Sequence, residues 1–84
     1  MKTIEIPGDV DLNNIRSFYT DLSESITENN EVILDFKNLD RIDAALLQVV
    51  VSGQQFARFE NKIIKIKNIS DEIKRQLKIS GLIK

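Results

Sequence analysis

Hydrophobic residues recur along the chain at two spacings, every second position in short runs and every third or fourth position in longer ones. The alternation predicts the order strand, helix, strand, helix, strand, helix. Thr3-Ile4-Glu5-Ile6 alternates polar and apolar side chains and is halted by Pro7-Gly8, which predicts a strand over residues 3–6 with one buried face. Leu12, Ile15, Phe18, Tyr19, Leu22 and Ile26 then define one face of a helix over residues 12–27, with Asp11 placed to cap it and Asn29-Asn30 to end it. Val32-Ile33-Leu34-Asp35-Phe36 is short and nearly all apolar, as expected of a central strand buried on both faces. A second helix is predicted over residues 44–60, its inner stripe formed by Leu46, Val49, Val50, Gly53, Phe56 and Ala57, with Asp43 at the N-cap.

Residues 62–67, KIIKIK, set Ile64 and Ile66 against Lys65 and Lys67, the pattern of a strand with one wet face or an edge position. Ser70 or Asp71 starts a third helix, which turns Ile73, Leu77 and Ile79 inward and stops at Gly81. Leu82 and Ile83 are then placed to fold back. The connections between strands are long enough for parallel crossovers. The expected fold class is therefore α/β, a small mixed or parallel sheet with packed helices, within a single domain over residues 1–84.

Composition narrows the chemistry. The 84 residues include no Cys and no His, which removes disulfides, thiol catalysis, common zinc sites and the usual general base. No run approaches the roughly 18 apolar residues of a membrane span, and the first ten residues lack a signal-peptide core, so a cytoplasmic protein without membrane insertion is expected. The net charge of −1 conceals an asymmetry, because residues 1–61 carry 5 basic and 11 acidic side chains while residues 62–84 carry 7 basic and 2 acidic. These two parts should attract each other. The basic segment has no aromatic residue to stack on bases, so it reads as a solvated face and not as a nucleic-acid footprint.

Gly8, Gly53 and Gly81 are isolated, so no phosphate-cradling loop is present and no cofactor is expected. Ser52, Ser70 and Ser80 have no histidine to activate them and read as capping or solvent-facing residues. Asp35, Asp40 and Asp43 are close in sequence, but Asp35 belongs to a strand and Asp43 to a cap, so a metal site is not expected.

The ordered set VILDFKNLDRIDAALLQVVV followed by KIIKIKNISDEIKRQLKISGL resembles the STAS domain, the family of anti-sigma factor antagonists and related bacterial regulatory modules. PGDVDLNNIRSFYTDL is similar, more loosely, to the family's strand-turn-helix opening. The resemblance implies the STAS (anti-sigma factor antagonist-like) fold and a non-enzymatic protein–protein interaction module. In its phosphorylatable members an Asp precedes a Ser or Thr at the start of the second helix. Here Asp43 matches that Asp, and Ala44 stands at the degenerate phosphoacceptor position.

The expected partner-binding residues are Asp40, Arg41, Asp43, Ala44, Leu47 and Gln48. The resemblance implies a serine-kinase anti-sigma factor as partner, with a chemotaxis protein or the ATPase subunit of a lipid-transport ABC transporter as alternatives. A second class of reading is a nucleotide or other small ligand held by the lysines of residues 62–78. A third is a homo-oligomer joined through Val51 and Phe59, which fall outside the helix stripe.

Overall fold

A computed structural model describes residues 1–8 and 12–81. Its elements are β1 (Lys2–Glu5), α1 (Leu12–Glu28), β2 (Glu31–Asp35), α2 (Ala44–Phe59), β3 (Ile63–Lys67) and α3 (Asp71–Ser80). The strands form one parallel sheet in the order β1-β2-β3, with Ile4 opposite Leu34 and Leu34 opposite Ile66. The predicted order of elements is found throughout, with ends displaced by a residue or so. Of the mixed and parallel alternatives, the sheet is parallel.

Strand alternation sorts the sheet into two unlike faces. Even positions Ile4, Val32, Leu34, Ile64 and Ile66 pack into the core, continued just past the strand ends by Ile6 and Phe36. The helices cover this face with Phe18, Leu22 and Ile26 of α1, Leu46, Val50 and Ala57 of α2, and Ile73 and Leu77 of α3. Apart from Lys2, odd positions carry the strand charges, and three cross-links decorate this side: Glu31 with Lys65 at 3.1 Å, Asp35 with Lys67 at 3.9 Å and Glu5 with Lys37 at 2.7 Å. Two of these join the acidic part of the chain to its basic part, the attraction expected from the charge asymmetry.

The central strand is not buried on both faces as its apolar run suggested. Ile33 on the odd side is half-buried and its neighbour Ile63 is exposed, because all three helices lie on the even side. Two helix positions also differ from expectation. Tyr19 is half-exposed and Ile79 is 81% exposed, since each stands at the margin of its helix stripe. Phe59, outside the α2 stripe, is likewise exposed, while Val51 is half-buried. The Asp11 cap and the return of Leu82 and Ile83 lie outside the described residues.

Gly53 sets the distance between α1 and α2. A Cβ built there would stand 2.5 Å from the Leu22 Cδ2 atom, so any side chain at this position would have to displace the buried Leu22. At the far end, α1 stops where Lys62, just before β3, donates to the carbonyls of Thr27 (3.4 Å) and Asn29 (3.2 Å), placing a cation at the negative end of the helix. The predicted stop of α3 is also found: Gly81 takes φ +85°, a left-handed conformation that suits glycine, and its N–H returns to Lys78 O at 3.1 Å.

Candidate functional site

The segments following the three strands gather at the carboxyl end of the parallel sheet, where open α/β sheets place their sites. Ile6 N–H donates to Asp35 O at 2.9 Å, and Phe36 N–H to Lys67 O at 3.1 Å, so the strand exits stay in register as the chain leaves the sheet. The longest exit, residues 36–43, begins with a turn in which Leu39 N–H returns to Phe36 O at 3.0 Å. It ends at Asp43, the α2 N-cap, which has extended backbone (φ −80°, ψ 169°) and a carboxylate that accepts from Leu46 N–H at 2.8 Å. The capping role expected of Asp43 is thus present.

Two side chains from the α3 region hold this exit in place. Gln76 uses its whole amide on one residue: Nε2 donates to Ile42 O at 2.6 Å, while Oε1 accepts from Ile42 N–H at 2.8 Å. The Ser70 hydroxyl caps α3 by accepting from Ile73 N–H at 3.1 Å and donates to Asp40 O at 2.6 Å. The Ile42 side chain is meanwhile buried in the core. The segment is therefore pinned through its backbone and one apolar side chain, and its polar side chains point away from the protein.

Asp40, Arg41, Asp43, Ala44 and Gln48 are all exposed on this one surface. Leu47 differs: it is half-buried against the core and offers only part of its side chain. A shallow cavity of about 190 Å³ lies beside them, lined by Gly8, Leu39, Arg41, Asp43 and Leu46. Ala44 and Ala45 occupy the first turn of α2, where backbone N–H groups and the positive helix end lie open beside two methyl groups.

Asp35 does not join this surface. It is buried on the odd side of the sheet, where Oδ1 accepts from Asn68 Nδ2 (2.9 Å) and Lys37 N–H (3.0 Å). The Asn68 amide is the main influence holding this carboxyl below its ordinary value. Burial opposes it, while the Lys37 N–H and the Lys67 and Lys37 charges assist. Among the described residues, no three carboxylates converge into a cluster able to hold a metal ion.

The lysines of residues 62–78 are dispersed as well. Lys62 serves the end of α1, whereas Lys65 and Lys67 sit across the sheet from carboxylates. Gln76, Asn68 and the tether made by Ser70 were not expected from the sequence. Gln76 left one signal, since it lies three residues from Ile73 and one from Leu77, on the inward side of a helix otherwise rich in charge.

No helix among the described residues is long and apolar enough to cross a membrane. A protein-family model described as "Mlab, STAS domain" matches residues 2–84. No curated protein matches the chain.

Proposed function

The chain belongs to the STAS domain family, and on that premise we propose that it is a non-enzymatic interaction module that binds a regulatory protein through residues 39–47 and the first turns of α2. The carrying observation is the double hydrogen bond from Gln76 to Ile42, which holds the segment rigid while Asp40, Arg41, Asp43, Ala44 and Gln48 face solvent. A surface ordered before binding loses less conformational entropy on association. Asp40 and Arg41 form no ion pair among the described residues, so both charges are available to a partner.

Ala44 and Ala45 allow close approach to the helix start. Ala44 has no hydroxyl, so this position cannot be switched by phosphorylation as in the phosphorylatable members of the family. Binding is then constitutive, or controlled on the partner. The partner is a serine-kinase anti-sigma factor, with a chemotaxis protein and a transporter ATPase as the competing assignments. The paired Lys65 and Lys67 favour a protein over a nucleotide as ligand.

The test is affinity capture from the native cell with the wild-type chain and with Ala44→Glu as baits, followed by titration of each recovered protein. Wild type should retain one of the three partner classes, and Ala44→Glu should lose it with an unchanged circular dichroism spectrum and Tm. Equal affinity of both baits for the recovered partner would remove this surface from the assignment.

A further inference from the structure

We propose that the free edge of β1, together with the acidic face of α1 above it, takes an extended basic segment of a partner protein as a fourth strand. Neither feature belongs to the surface at residues 39–47. They meet at the other end of the sheet, where α1 runs back towards the start of β2.

The backbone supplies half of the argument. Among the described residues, β1 pairs with β2 alone. Ile6 N–H points to β2, donating to Asp35 O at 2.9 Å, and backbone direction alternates along a strand. Thr3 and Glu5 therefore present their N–H and C=O groups outward, and among the described residues no strand meets them. An exposed edge of this kind is the template used in strand addition.

The groove beside the edge supplies the other half. It has a volume of about 390 Å³ and lies between Lys2, Thr3 and Ile4 on one side and Asp21, Glu24, Ser25, Glu28 and Asn29 on the other, so three carboxylates face a single cation across it. None of the three carboxylates forms an ion pair among the described residues. They share one helix face at spacings of three, four and seven, where like charges repel. Ser25 is only 7% exposed, and its hydroxyl lines the groove without a hydrogen bond among the described residues. The residue is nearly buried but its hydroxyl keeps contact with solvent, which leaves it open to a polar partner arriving with the ligand.

The chemistry of the occupant follows from these groups. An added strand turns alternate side chains towards the α1 layer, where they meet the three carboxylates and the Ser25 hydroxyl. Lysine or arginine at every second position matches them, and the intervening residues face the open side of the sheet. A second copy of this chain is a poorer occupant. Its basic strand β3 already commits Lys65 to Glu31 and Lys67 to Asp35, and the preceding Lys62 serves the end of α1.

The test uses the full chain labelled with nitrogen-15 and an N-acetylated, C-amidated octapeptide alternating lysine and threonine. Amide resonances of Thr3 and Glu5 and of the α1 face should shift and saturate. The same peptide with glutamate in place of lysine, or with the amides that face β1 N-methylated, should leave them unmoved. The combined variant Asp21→Asn, Glu24→Gln, Glu28→Gln should bind about tenfold more weakly, as loss of several partly exposed charge pairs entails. Thr3→Pro removes an outward N–H without touching the ladder to β2, so it should abolish binding while preserving the dispersed spectrum. Shifts that fail to saturate, shifts centred elsewhere, or undiminished binding by either variant would overturn the proposal. So would concentration-dependent broadening of the Thr3 and Glu5 amides without peptide, which would assign the edge to a second copy.

Discussion

Replacing Gln76 by alanine tests whether the candidate surface is built by α3. The side chain makes two hydrogen bonds, of 2.6 and 2.8 Å, to the backbone of a residue whose own side chain is buried. At a net value of about 0.5–1.5 kcal/mol each, their loss should cost about 1–3 kcal/mol. For a chain of this length each kcal/mol lowers Tm by about 4–8 °C, well within the reach of a thermal melt. The local effect should be larger than the global one. Hydrogen exchange at the Ile42 amide should accelerate more than exchange in β2, because the segment can open without unfolding the sheet.

Gln76→Glu separates the two bonds. Its carboxylate still accepts from Ile42 N–H but opposes Ile42 O, whereas the protonated acid can serve both. The introduced group should thus have a folded-state pKa raised above its unfolded value. Its stabilising contribution would be complete below the unfolded pKa and lost as pH rises through the folded one. Urea midpoints for the two variants and wild type across acidic pH would show this as a convergence of Gln76→Glu towards wild type on acidification. If Gln76→Ala leaves both Tm and Ile42 exchange unchanged, the segment is held by something other than Gln76, and the rigid-surface reasoning fails.

Other outcomes follow from the same structure. Gly53→Ala gains helix propensity of about 1 kcal/mol but forces a methyl towards Leu22 Cδ2 in a filled core, at about 1–3 kcal/mol. Net destabilisation is expected in chemical denaturation, and a more stable variant would show that the α1–α2 crossing can widen freely. Asp43→Ala removes the cap on α2 and should cost about 1 kcal/mol by the same measurement, and an unchanged midpoint would mean that solvent satisfies Leu46 N–H equally well. Asp35 has its folded-state pKa lowered, first by Asn68, so its contribution is present above the unfolded carboxylate value of about 3.9 and is lost as pH falls through the folded one. Asp35→Asn should flatten the decline of the urea midpoint between about pH 5 and pH 2 relative to wild type, and identical slopes would refute the assignment.

Periodicity alone made the order of elements readable in the chain. Alternation in Ile4 and Ile6 and in Ile64 and Ile66, and three-to-four spacing in Phe18, Leu22 and Ile26, are local properties that any packed arrangement must respect. The caps were equally legible. Asp43, Ser70 and Gly81 satisfy backbone groups within three or four residues of themselves, so their roles are written in short windows. Absence of Cys and His likewise restricted the chemistry before any fold was known.

Tertiary structure decided what depends on distant partners. An apolar strand reads the same whether one or two layers cover it, and only the placement of all three helices on the even side left Ile33 half-buried among ion pairs. Gln76 lies 34 residues from Ile42, and Asn68 lies 33 from Asp35. No local pattern links either pair, because their hydrogen bonds exist only after the crossovers bring the strand exits together. Sequence thus determined that Asp43 begins a helix with two small residues after it. Folding determined that the backbone before it is clamped and that its exposed side chains form one surface.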